Sequence, residues 1–165
     1  MRTPAGGTTS ERYVRAARAS SAPGLLLGLG LGGFVDGIAL HQILQWHHML
    51  SARLPPVDMR AMRVNMVLDG YFHAVVWLLT FVGVWALWRA GRRGAVPGAR
   101  RFAGQLLLGW GVFNLVEGIV DHHVLRLHHV VDLPAHVPWM DWTFLVVAGL
   151  GFIVLGVAMV RERAR

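Results

Sequence analysis

Four stretches of this chain, residues 23–50, 62–88, 102–127 and 139–160, are each long and apolar enough to cross a bilayer. A hydrocarbon core about 30 Å thick takes roughly 20 apolar residues per helix. Inside lipid a segment must satisfy its own backbone polar groups, so runs of this length are expected to be helices. Composition agrees. Of 165 residues, 55% are hydrophobic and 15% charged, and the mean hydropathy is +0.48, too apolar for a water-soluble domain of this size. The expected fold is an all-α integral membrane protein, a four-helix bundle. Residues 1–22 are rich in Arg, Ser and Thr and lack an apolar core followed by a cleavage site, so they read as a polar tail rather than a signal peptide.

The net charge of +7 is carried by arginine alone, since there is no lysine. A basic total can mean nucleic acid, but these arginines sit where membrane topology puts them, and no nucleic-acid partner is expected. Arg2, Arg12, Arg15 and Arg18 precede the first stretch, Arg89, Arg92, Arg93, Arg100 and Arg101 follow the second, and Arg161, Arg163 and Arg165 end the chain. The positive-inside rule then places both termini of this multi-pass protein in the cytoplasm, although Arg53, Arg60 and Arg63 run against it. Cysteine is absent, which removes disulfides and thiolate ligands together.

Two of the stretches contain the same phrase. Residues 35–48 read V-D-G-I-A-L-H-Q-I-L-Q-W-H-H, and residues 116–129 read V-E-G-I-V-D-H-H-V-L-R-L-H-H. An offset of 81 (117 − 36) lays Asp36 on Glu117, Gly37 on Gly118, His41 on His122, and His47-His48 on His128-His129. So many polar matches point to an internal duplication. A weaker likeness of Asp69-Gly-Tyr-Phe72 to Asp141-Trp-Thr-Phe144 carries it into the following helix. Each copy is then a helical hairpin, residues 23–89 and 102–161, joined by a basic loop, residues 90–101. Two helices per copy return the chain to the same side, so the expected arrangement is two tandem parallel repeats about an axis along the membrane normal.

All nine histidines lie between His41 and His136, and every acid except Glu11 and Glu162 lies between Asp36 and Asp141. At ~1.5 Å per residue, Asp36 and Glu117 fall well inside the membrane, and His47, His48, His128 and His129 reach the outer headgroup level. The second helix runs the other way and adds Asp69 and His73 to the outer half. At ~100° per residue, Asn114, Glu117, Asp121 and His128 share a face, with His122 and His129 flanking it. Asp36 lines up with His47, and His41 with His48. Lipid cannot be what such stripes face. A lone intramembrane His or Asp is often only an interhelical hydrogen bond, but four acids and six histidines on converging stripes mark a site. Asn65 and Asn114 are expected to be hydrogen-bond partners, Asp58 and Asp132 capping or solvated groups, and His123 and His136 bystanders.

Imidazole with carboxylate suits zinc, iron, manganese and copper(II), so a transition metal is the first expectation. Its candidate ligands are Asp36, His41, Asp69, His73, Glu117, Asp121 and His122 at an inner level, and His47, His48, His128 and His129 at an outer one. A dinuclear centre on the pseudo-twofold axis satisfies the symmetry. Met49, Met59, Met62, Met66 and Met140 near the same end would add thioethers for copper(I), though apolar filling is their plainer role. Three readings compete: b-haem between His41 and His122, a proton or ion pathway, and a metal-dependent oxidoreductase or hydrolase. The adjoining carboxylates weigh against haem, and the apolar inner half weighs against a complete pathway. No Ser-His-Asp set, phosphate loop or nucleotide fingerprint marks an enzyme.

At residues 32–50 (G-G-F-V-D-G-I-A-L-H-Q-I-L-Q-W-H-H-M-L), 68–73 (L-D-G-Y-F-H) and 113–123 (F-N-L-V-E-G-I-V-D-H-H), the chain resembles a bacterial family catalogued as domain of unknown function 2243. The likeness runs from about residue 25 to residue 160. It implies a four-helix protein of the bacterial inner membrane and carries no activity over. It also implies a respiratory context, because genes of the family neighbour assembly factors for cytochrome oxidase. The partners implied are the lipid bilayer and such factors or a metallochaperone, with homo-oligomer formation left open.

Overall fold

The structure, a computed structural model, describes residues 21–161. The expected polar tail falls outside the described residues up to residue 20, as do Glu162, Arg163 and Arg165. The described residues form four helices, each long and apolar enough to span a membrane, and no strand. These are α1 (Ala22–Ile43), α2 (Met59–Arg92), α3 (Ala99–Val124) and α4 (Pro138–Val160).

Local sequence accounts for the ends. Proline opens α1 and α4, where its missing amide costs nothing. Asp58 caps α2 as expected, its carboxylate accepting from the amides of Arg60 at 2.9 Å and Ala61 at 2.8 Å. Beyond α2 the chain turns at Gly94, whose φ of +62° carries no penalty for a residue without Cβ.

α1 and α3 pack against each other at the centre, with α2 against α1 and α4 against α3. The central pair meets on glycine. A Cβ on Gly28 would strike the carbonyl oxygen of Leu106, and one on Gly109 would strike that of Leu25. Helices in lipid gain little from the hydrophobic effect, so close backbone approach supplies the packing instead. α2 and α4 turn Val75, Leu78, Phe81 and Val146, Leu150, Val154 outward as an apolar surface.

The last turns of α1 and α3 are wider than α-helical. Residues Asp36–Ile43 and Gly118–Val124 form π turns. Their amides reach five residues back, Leu44 to the Ala39 carbonyl at 2.8 Å and Leu125 to the Val120 carbonyl at 2.7 Å. In an α-helix, residues five apart diverge by ~140°. A π turn closes over that interval, and Asp36 therefore meets His41, with 3.1 Å between Oδ2 and Nε2.

Both helices also end earlier than the sequence suggests, at Ile43 rather than residue 50 and at Val124 rather than residue 127. Gln45 and Arg126, each at φ +50°, reverse the chain. The folded-back segments bond to each other, Ala52 donating to the Leu127 carbonyl at 3.1 Å and Asp132 to that of Trp46 at 2.8 Å. Eleven residues of continuous helix would hold His47 ~16 Å from Asp36. The reversal brings His47 Nε2 to 3.7 Å from Asp36 Oδ1.

Candidate metal centre

Six buried side chains converge near the ends of α1 and α3: Asp36, His41, His47, Glu117, His122 and His128. Ring centroids lie 4.4 Å apart for His41 and His47, 4.6 Å for His47 and His128, and 5.0 Å for His122 and His128. Glu117 Oε1 is 3.5 Å from His128 Nε2. Three sets of ligand atoms each gather within 4.8 Å: His41, His47 and His128; Asp36, His47 and Glu117; and Glu117, His122 and His128.

The rings are oriented from behind. His47 Nδ1 donates to the Val130 carbonyl at 2.9 Å, and His128 Nδ1 donates to the Met49 carbonyl at 3.3 Å. A carbonyl only accepts, so Nδ1 carries the proton and Nε2 of the neutral ring offers a lone pair. Burial, reinforced by the neighbouring imidazoles of His47 and His122, pushes His128 well below the usual imidazole value and keeps that lone pair free. His41 Nδ1 pairs with Asp69 Oδ1 at 2.9 Å.

Nε2 of His41, His47 and His128, Asp36 Oδ2, Glu117 Oε2 and both His122 nitrogens are buried without a hydrogen-bond partner. Leaving a buried polar group unmatched costs ~1–3 kcal/mol. A divalent cation would answer several such converging lone pairs at once.

Two carboxylates form the outer layer. Asp69 Oδ1 also accepts the Met49 amide at 2.9 Å, and Oδ2 pairs with His48 Nδ1 at 2.7 Å. Asp141 Oδ1 accepts the Val130 amide at 2.8 Å and lies 3.5 Å from His122 Nδ1. Carboxylates behind metal-binding imidazoles fix the ring and raise its basicity.

The expected two levels are thus replaced by one. His47 and His128 belong with Asp36, His41, Glu117 and His122, because the chain reverses where a continuing helix had been expected. Asp69, His48 and His129 sit one layer out. His73 is half-buried and spends Nδ1 on the Asp69 carbonyl at 2.7 Å. Asp121 is half-buried and joins none of the three convergent sets. Asn65 and Asn114 are hydrogen-bond partners, but of backbone: Asn65 holds the Leu50 amide and the Leu54 carbonyl, both at 2.9 Å, and Asn114 donates to the Ala148 carbonyl at 2.9 Å. Met59 and Met66 are exposed. His123 donates to the Gly118 carbonyl and packs on Trp142, apart from the site.

Asp141 and His136 were not among the expected ligands. His136 Nε2 is 3.0 Å from Asp141 Oδ2, and His129 Nδ1 is 2.9 Å from the same oxygen. The likeness of residues 69–72 to residues 141–144 was the available signal for Asp141.

The model of a family described as predicted membrane protein (DUF2243) matches residues 23–163. No curated protein and no solved structure matches the chain.

Proposed function

This chain belongs to the DUF2243 family of predicted membrane proteins, and on that premise we propose that it is a membrane-embedded transition-metal-binding protein with a dinuclear His/carboxylate centre. One observation carries the reading. The Nε2 atoms of His41, His47 and His128 lie 3.1–3.7 Å from the Asp36 and Glu117 carboxylates without an aligned hydrogen bond, while each ring's Nδ1 is held from behind. The donor set suits zinc, iron, manganese or copper(II). Because the ligand sets overlap at His47, Glu117 and His128, they support two neighbouring ions rather than one.

We read the bundle as two tandem hairpin repeats. The offset of 81 pairs the supports as well as the donors: His47 on the Val130 carbonyl matches His128 on the Met49 carbonyl. With the carboxylates at the shorter offset of 72 (141 − 69), the Met49 amide on Asp69 matches the Val130 amide on Asp141. Arg89, Arg92, Arg93, Arg100, Arg101 and Arg161 cluster toward the end where the described chain begins and finishes, which supports cytoplasmic termini and a centre near the outer face of the inner membrane. Handling metal for respiratory oxidase assembly is the use that the family resemblance favours.

A second reading, a metal-dependent oxidoreductase or hydrolase, draws support from a groove that reaches His122 from the surface. Haem draws less: imidazoles 4.4–5.0 Å apart around two carboxylates crowd the space a flat macrocycle needs. The test is element analysis of protein purified in detergent without chelators. The expected result is two transition-metal ions per chain, retained against EDTA and lost from the His47→Ala/His128→Ala double variant. A metal-free protein whose stability EDTA leaves unchanged overturns the reading.

A further inference from the structure

We infer that His129, His136 and Asp141 form a second, surface metal site, which accepts a divalent transition-metal ion from water and passes it to the buried centre by way of His122. The site stands on its own geometry, whereas its role as an entrance rests on the function proposed above.

The two imidazoles are stacked, centroids 3.9 Å apart at 21°, and both present a nitrogen to one oxygen, Asp141 Oδ2. Together these three ligand atoms lie within 4.8 Å of one another, as a shared ion requires. His129 Nδ1 is buried and, despite its 2.9 Å approach to the carboxylate, is not aligned for a hydrogen bond. Two imidazoles and a carboxylate make a borderline donor set that takes zinc, copper(II) or iron.

Exposure separates this cluster from the centre. The side chain of His136 is 40% exposed and that of His129 17%, against 1% for His122 and His128. A groove of about 350 Å³ is lined by His122, Arg126, His129, His136, Asp141 and Trp142. His122 also belongs to the buried set with Glu117 and His128. Its Nδ1 lies 3.5 Å from Asp141 Oδ1, so Asp141 offers one oxygen to the surface pair and the other to the inner ring.

The corresponding place in the first half is closed. Both Asp69 oxygens are taken, by His41, by the Met49 amide and by His48, and His41 has no free Nδ1. In the second half both His122 nitrogens are unpartnered. Asp141 is engaged too, Oδ1 by the Val130 amide and Oδ2 by His136 Nε2 at 3.0 Å, so the halves differ in the inner ring: His41 is held and His122 is not. The unheld ring is the one that lines the groove, and there the chain supplies the extra imidazole of His136.

The experiment uses the full chain in detergent micelles with zinc as the probe. Wild type is expected to bind one fast-exchanging ion beyond its chelator-resistant content, and His136→Ala to lose that ion. His136→Ala should also fill the metal-free centre on the order of tenfold more slowly, while reaching the same final chelator-resistant content. The His47→Ala/His128→Ala variant should keep the fast-exchanging ion. A fast-exchanging ion that survives His136→Ala, or a filling rate that His136→Ala leaves unchanged, overturns the inference. If His136→Ala removes the fast ion from a wild type that holds no chelator-resistant ion, the surface site stands and the buried centre fails.

Discussion

The imidazoles of His47 and His128 lie stacked, 4.6 Å apart with 11° between their planes, and each is held by a carbonyl from the segment that carries the other. Neither ring can shift without disturbing the backbone beside its partner. His47→Ala and His128→Ala should therefore cost metal to similar extents, as should His41→Ala and His122→Ala. Metal content by element analysis, with helicity checked by circular dichroism, measures this. A pair in which one change empties the site and the other spares it contradicts a symmetric centre.

The outer carboxylates make a graded prediction. Asp69 holds His41 at 2.9 Å, while Asp141 stands 3.5 Å from His122. Asp69→Asn should weaken the chelator-resistant ion by ~10–100-fold, in the range measured for residues that orient ligands, and Asp141→Asn by less. Competition titration against a chelator of known affinity reads both. Equal losses would mean that the supporting distances do not control the site.

The four spans were legible because roughly 20 apolar residues in a row admit few other structures. The ends of α1 and α3 were not. Leu44, Trp46, Met49 and Leu50 continue the apolar pattern past Ile43, so periodicity carries the helix on through a reversal that depends on Gln45 at φ +50°. The meeting of Asp36 with His41 was hidden for a related reason: a spacing of five reads as two different faces until the helix widens into π turns. The donor types and their pairing at an offset of 81 could be read directly. Their convergence at a single level could not. Asp141 was visible only as the weak partner of Asp69, and His136 has no partner in the first half to call attention to it.

The glycine crossing of α1 and α3 sets the spacing on which the site depends. Gly28→Ala or Gly109→Ala forces a methyl group against a carbonyl oxygen, and overpacking of this kind costs ~1–3 kcal/mol. Gly70, with nothing within 4 Å of its would-be Cβ, is the control. Gly70→Ala should be neutral or gain up to ~1 kcal/mol in helix propensity. Thermal unfolding in detergent compares them, and equal melting points for Gly28→Ala and Gly70→Ala would contradict the close crossing.

Chain reversal makes a separate prediction at Gln45 and Arg126, both at φ +50°. Asparagine tolerates that region, whereas a β-branched residue does not. Gln45→Asn should be nearly silent, and Gln45→Val should lose ~1–2 kcal/mol along with part of the bound metal, since His47 follows two residues later. The same thermal and element measurements check it. A silent Gln45→Val would mean that the reversal does not hold His47 in place.

The most direct measurement is an anomalous difference map from crystals of the protein, collected at the absorption edge of the metal that element analysis identifies. The account predicts peaks within bonding distance of His41, His47 and His128 Nε2 and of the Asp36 and Glu117 carboxylates. Those side chains bonded only to one another, with no peak between them even after soaking in metal, would contradict it.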